Sequence, residues 1–213
     1  MFTGVDDNNY HFSTTYRHFI IDSPQYDDIM LLNQIKKGVN KLEIKIAGVL
    51  KHSSVNGPGV RYVVFTQGCI HKCPGCQNPE THSGEGGNSL DVDEVYKDII
   101  STKYIDGVTL SGGDPFYNPE ATCLLLKKLK DKNINIWVYT GWLMEDILQG
   151  KPGKCSKEAL EYIDVLVDGR FVEDLKSEDC LFRGSKNQRL VDVPESLKQG
   201  IVVDYQLYAA EKI

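Results

Sequence analysis

Three cysteines fall within eight residues: Cys69, Cys73 and Cys76, spaced Cys-x3-Cys-x2-Cys. A helix would turn such positions toward one face, but Pro74 and Gly75 lie inside the run, so a loop is expected whose three thiolates wrap around a common object. That object reads as a metal centre. A closed structural zinc site needs four ligands, and His71 or His82 could complete the set. A [4Fe–4S] cube normally takes four thiolates, so three leave one iron open for chemistry. The remaining cysteines, Cys123, Cys155 and Cys180, are scattered; Cys123 lies in an apolar helical stretch and reads as core. Cys155 and Cys180 sit in polar connections and receive no role.

Four unusual patches each follow a stretch of strand character: Gln67-Gly68-Cys69 after 63–66, Gly112-Gly113-Asp114-Pro115 after 108–111, Thr140-Gly141 after 136–139, and Asp168-Gly169-Arg170 after 165–167. Each alone is also a good turn. In parallel α/β folds the carboxyl ends of the strands form the ligand-binding face, so the four patches are expected to converge on one site.

The elements that would carry them are legible from periodicity. Leu42, Ile44 and Ile46 alternate with Lys41, Glu43 and Lys45 as in a half-buried strand, and a turn cluster follows over 53–59. Strands are expected over 60–66, 108–111, 134–140 and 163–167, with 201–205 a further candidate. Helices are expected over 91–101, with Asp91 and Glu94 in capping-box spacing, and over 119–130, 143–149 and 157–162. Repeated strand–helix units imply an α/β fold, with about five parallel strands and helices outside, an incomplete barrel or open sheet rather than a full eight-unit barrel.

Residues 1–41 differ in texture and form an N-terminal extension ahead of a 42–213 domain. One helix is expected there, with Ser23 as N-cap, Pro24 at the first position, Lys36 and Lys37 in the last turn and Gly38 closing it. It reads as an appended arm, with a docking element as the alternative.

Composition bounds the rest. The 213 residues carry 24 basic and 30 acidic side chains, a net charge of -6, which gives no electrostatic reason to hold a polyphosphate; nucleic acid is not the expected partner. No apolar run approaches the roughly 18 residues that span a bilayer, so no membrane association is expected. Asp6, Asp7, Asn8 and Asn9 stand where a signal peptide would carry basic and then apolar residues. The expected location is cytoplasmic, where cysteines are not a disulfide framework.

The cysteine loop on a first strand, followed by Ser111-Gly112-Gly113-Asp114-Pro115 on a second, resembles the radical S-adenosylmethionine superfamily. Further strings narrow the likeness: Val55-Asn56-Gly57-Pro58-Gly59-Val60-Arg61, His71-Lys72-Cys73-Pro74-Gly75-Cys76-Gln77-Asn78, Trp137-Val138-Tyr139-Thr140-Gly141, Asp168-Gly169-Arg170-Phe171-Val172 and Arg183-Gly184-Ser185-x-Asn187-Gln188. In that order, over about 46–188, they are similar to the activating enzymes of anaerobic ribonucleoside-triphosphate reductase. Gly75 replaces the aromatic residue that most of the superfamily places before the third cysteine, as in these activases. Residues 77–90 contain no cysteine, unlike activases with an extra ferredoxin-like segment.

The resemblance implies a partial, TIM-like β/α barrel and a [4Fe–4S] cluster on Cys69, Cys73 and Cys76, with S-adenosylmethionine chelating the fourth iron. Reductive cleavage would give methionine and a 5′-deoxyadenosyl radical, which removes a Cα hydrogen from a glycine of the reductase large subunit. A flavodoxin-type protein would supply the electron. Gly112 and Gly113 would let backbone approach the methionine portion, and the Asp114 neighbourhood would accept from its ammonium. Gly75, Cys76 and Gln77 would face the adenine, Thr140 and Asp168 the ribose or carboxylate. Arg183 to Gln188 would lie at the partner surface or form a solvated loop. His71 and His82 read as loop residues. Two other readings stay open: a small radical S-adenosylmethionine enzyme with a different substrate, and a zinc-binding adaptor.

Overall fold

Short apolar runs separated by turn residues build one sheet in the computed structural model, which describes residues 41–207. The strands are β1 (Glu43–Ser53), β2 (Arg61–Thr66), β3 (Asn88–Asp91), β4 (Gly107–Gly112), β5 (Asn135–Tyr139), β6 (Val165–Asp168) and β7 (Arg189–Asp192), in spatial order β3-β1-β2-β4-β5-β6-β7. β2, β4, β5 and β6 are mutually parallel. β1 runs antiparallel to β2 and β3, and β7 antiparallel to β6.

The expected five parallel strands are therefore four. The connection from Ser53 to Arg61 is too short for a parallel crossover, which takes about a dozen residues or more, so β1 returns as a hairpin arm. The 201–205 candidate contributes a single bridge, Val191 to Asp204. β3 and β7 were not expected. The helix expected between Ser23 and Gly38 lies outside the described residues.

Among the described residues five α-helices follow the strands: α1 (Val92–Ser101), α2 (Pro119–Lys130), α3 (Met144–Leu148), α4 (Ser156–Ala159) and α5 (Val193–Gln199). Asp91 caps α1, but its carboxylate accepts from Asp93 N at 2.8 Å instead of closing a box with Glu94. α2 starts with Asn118 accepting from Ala121 N at 3.2 Å and Pro119 in the first turn, and its last turn carries Lys127, Lys128 and Lys130.

Strand alternation then sorts the sheet into two faces. Tyr62, Val64, Leu110, Ile136, Val138 and Leu166 join Val95, Ile99, Leu125, Leu129, Met144, Ala159 and Val193 in the main core, so every helix buries its apolar side against that one face. Each Val, Leu, Ile or Met side chain among them contributes roughly 1.5–3 kcal/mol on burial. The opposite face carries Trp137, Val165, Val167 and Leu190, covered by Phe182, Tyr205 and Leu207 from connecting segments. Among the described residues no helix is long and apolar enough to cross a membrane.

Candidate metal centre

The chain leaves β2 into the cysteine loop and doubles back on itself. Gly68 N donates to Thr81 O at 2.8 Å, Cys69 N to His82 O at 3.2 Å, and the buried Gln67 amide to Ser83 O at 2.7 Å. Lys72 (φ 47) and Gly75 (φ 67) adopt the left-handed conformation that bends the run between the thiols. All three cysteines are unpaired and partly exposed, and all line one cleft with Gly112, Gly113, Thr140 and Gly141. Burial pushes the Cys69 thiol up; Asp114 and Cys73 push the same way, while the backbone amides of His71 and Lys72 oppose them. Such a thiol is not pre-activated as a nucleophile, whereas a metal displaces its proton on binding. Among the described residues no group of His, Cys, Asp or Glu side chains converges as a ligand set for a single ion. A donor set of three free thiols spread along one cleft suits a cluster, whose ligands attach to different irons.

The glycines of β4 serve the protein before any ligand. Gly113 N donates to Thr66 O and Asp114 N to Gly68 O, both at 2.8 Å, so pairing between β2 and β4 continues past the strand ends. A Cβ on Gly112 (φ +93) would stand 2.6 Å from Thr66 N, and one on Gly113 would stand 2.3 Å from Gly68 O. The expected close approach to a methionine is therefore, in the first place, an approach to the cysteine loop, although both glycines also line the cleft.

Asp114 is buried, and its carboxylate is already engaged. It accepts from Phe116 N at 2.9 Å, from the Thr140 hydroxyl at 2.9 Å and from Gly141 N at 2.9 Å. His71 Nε2 lies 2.9 Å from the same carboxylate, and both side chains are 2% exposed. That contact falls short of an aligned hydrogen bond, and both His71 ring nitrogens are buried without a hydrogen-bond partner among the described residues. The ring also meets Trp142 edge-on at 5.1 Å. Thr140, which also lines the cleft, thus orients Asp114, and His71 is more than the loop residue expected.

Asp168 departs furthest from expectation. Its carboxylate is fully buried, accepts from Met144 N at 2.9 Å and pairs with Arg189 at 2.9 and 2.5 Å. Arg189 also grips Glu145 at 3.0 and 2.7 Å, which holds the Glu145 carboxyl below its usual range. Asp168 anchors β7 and α3, and Gly169, Phe171 and Gln188 line the cleft in its place. Gln188 closes the β6–β7 connection on itself: its carbonyl oxygen accepts from Gly184 N at 2.8 Å and its amide donates to Gly169 O at 2.9 Å. Gly75 carries the Glu173 carboxyl group against it. Gln77 is exposed and lines an adjoining cavity with Cys76, Tyr139, Cys180 and Arg183. Burial raises the Tyr139 phenol well above its ordinary range.

At the other end of the strands Arg61 is 1% exposed. It donates to Thr109 Oγ1 at 2.6 Å, Val108 O at 2.7 Å, and Asn135 Oδ1 and O at 3.0 and 3.2 Å, and lies 5.5 Å from the Trp137 ring centroid. Burial lowers its pKa to about 10. The string 55–61 that carries the resemblance thus folds around a buried cation, with Gly57 pressed on Arg61 and Gly59 on Asp106.

Residues 55–191 match the 4Fe-4S single cluster domain family. With a three-thiol loop at the carboxyl ends of parallel strands, that match defines the class as an iron–sulfur domain. The chain is 41% identical over 143 residues to the anaerobic ribonucleoside-triphosphate reductase-activating protein of Enterobacteria phage T4, spanning 64% of this chain and 86% of that protein. It is 36% identical over 142 residues to the protein of that name from Escherichia coli (strain K12), spanning 63% and 89%. For the Vibrio cholerae protein of that name the identity is 35% over 142 residues, spanning 63% and 88%. The chain belongs to the family of anaerobic ribonucleoside-triphosphate reductase-activating proteins.

Proposed function

We propose that this chain is a radical S-adenosylmethionine activase that installs a glycyl radical on the large subunit of an anaerobic ribonucleoside-triphosphate reductase. Cys69, Cys73 and Cys76 would hold a [4Fe–4S] cluster, with S-adenosylmethionine on the iron they leave free. The chemistry supplied by the bound pair is reductive cleavage of the sulfonium C–S bond, giving methionine and a 5′-deoxyadenosyl radical for hydrogen abstraction from a glycine Cα. The observation that carries this reading is three free thiols lining one cleft with Gly112 and Gly113.

The chain's own part is binding, shape and exclusion of water. Helices packed on one face of a sheet with four parallel strands favour a partial barrel whose other face is the working one. Because the Asp114 carboxylate is occupied, the ammonium of S-adenosylmethionine would be met by backbone carbonyls near Gly112 and Gly113. Gly75, Cys76 and Gln77 would face the adenine. The adjoining cavity, bordered by Cys76, Tyr139, Phe171, Arg183 and Gln188, would admit the glycine-bearing segment of the partner. A flavodoxin-type donor would deliver the electron, the setting would be cytoplasmic, and residues 1–41 would be an arm outside this 42–213 domain.

The test is anaerobic reconstitution with iron and sulfide, reduction, and addition of S-adenosylmethionine with and without the reductase. 5′-Deoxyadenosine together with a glycyl-radical signal on the reductase is the expected result. 5′-Deoxyadenosine without that signal would move the substrate elsewhere, and a colourless zinc protein would overturn the cluster.

A further inference from the structure

The buried contact between His71 and Asp114 has no part in the chemistry just proposed. His71 stands on the cysteine loop itself, between Cys69 and Cys73, yet its side chain is as buried as that of Asp114. Asp114 gathers three segments on one carboxylate: its own turn through Phe116 N, the end of β5 through Thr140 and Gly141, and the thiol loop through His71 Nε2. The imidazole is also held by shape. Trp142 meets its edge, and a Cβ on Gly141 would stand 2.4 Å from its Cδ2. One side chain from the loop thus plugs a socket made by the carboxyl ends of β4 and β5. Without His71 the carboxylate would still hold its three donors from the strand ends, so what the contact secures is the position of the loop.

We infer that His71, acting through Asp114, is a positioning residue that seats the Cys69–Cys73 segment against the ends of β4 and β5, so that the three thiols are presented as one set. The inference rests on the reading of those thiols as cluster ligands. His71 is assigned no proton transfer and no ligand bond.

The test compares the full-length chain with His71→Ala and with His71→Gln, which keeps a planar polar side chain that still reaches into the socket. Before metal is added, alkylation of individual cysteines is followed by mass spectrometry. Cys69 and Cys73 are expected to react about tenfold faster in H71A, with buried Cys123 unchanged, as local rather than global opening requires, and H71Q should recover most of the protection. After reconstitution, H71A should show a raised KM for S-adenosylmethionine with a smaller change in kcat, and a weakened change in the cluster's EPR spectrum when S-adenosylmethionine is added. Unchanged alkylation of Cys69 and Cys73 in H71A would overturn the inference, as would acceleration of Cys123 to the same degree in both variants. If the wild-type chain forms no iron–sulfur cluster, the activase reading fails while the alkylation ratios still report on the seating of the loop.

Discussion

The two ends of the same parallel strands are finished differently. At the amino end, Arg61 places its guanidinium against Thr109, Val108, Asn135 and Trp137, and Gly57 presses against it. At the carboxyl end, three thiols are free and the buried Nε2 of His82 has no hydrogen-bond partner among the described residues. Protein interiors rarely leave buried polar atoms unpaired. One end is closed by its own side chains, and the other leaves three thiols free for the guest proposed above. Stability and chemistry should separate along the strand axis accordingly.

The sharpest break of that separation would come from Cys73→Ala. S-adenosylmethionine cleavage should fall to background, while Tm moves by no more than about 2–4 °C, since a half-exposed loop thiol carries little of the core. Cleavage at the wild-type rate would remove the cluster assignment. Arg61→Met should do the reverse. It strands the carbonyls of Val108 and Asn135 in the interior and should cost about 2–4 kcal/mol in urea denaturation, with the cysteine loop still able to take up iron and sulfide. An unchanged midpoint would mean that the buried cation is not structural.

The smallest effect sharpens the picture at the guest end. Arg189 holds the Glu145 carboxyl below its usual range, so that pairing is fully present above the ordinary glutamate value and is lost as pH falls through the lowered folded value. Glu145→Gln, which leaves the Asp168–Arg189 pair in place, should flatten this acid-side loss in a series of Tm measurements from about pH 7 to pH 3. A wild-type slope retained in the variant would show that the pairing does not contribute.

Much of this was legible before any coordinates. β2, β4, β5 and β6 are short, continuous apolar runs bounded by turn residues, α2 spans the expected 119–130, and all four strand-end patches contribute residues to one cleft. β3 and β7 escaped notice because four-residue strands such as Asn-Ser-Leu-Asp and Arg-Leu-Val-Asp carry almost no period. The direction of β1 was readable from the short turn after Ser53, which leaves no room for a crossover. The fate of Asp168 was not, because its partner Arg189 lies 21 residues away and only the fold joins them. The Asp114 socket is hidden for the same reason: it joins residues from the ends of three strands, and no local pattern announces it.

The interlock of Gly68 with Gly113 bears on inheritance and engineering alike. Since no Cβ fits between these two turns, the cysteine loop and the Gly-Gly-Asp-Pro string cannot drift independently. A designer who transplants the eight-residue thiol segment onto another α/β scaffold would carry across only half of a two-part fitting. The recipient must also bring a neighbouring parallel strand that ends in two glycines, or the graft will arrive without its seat.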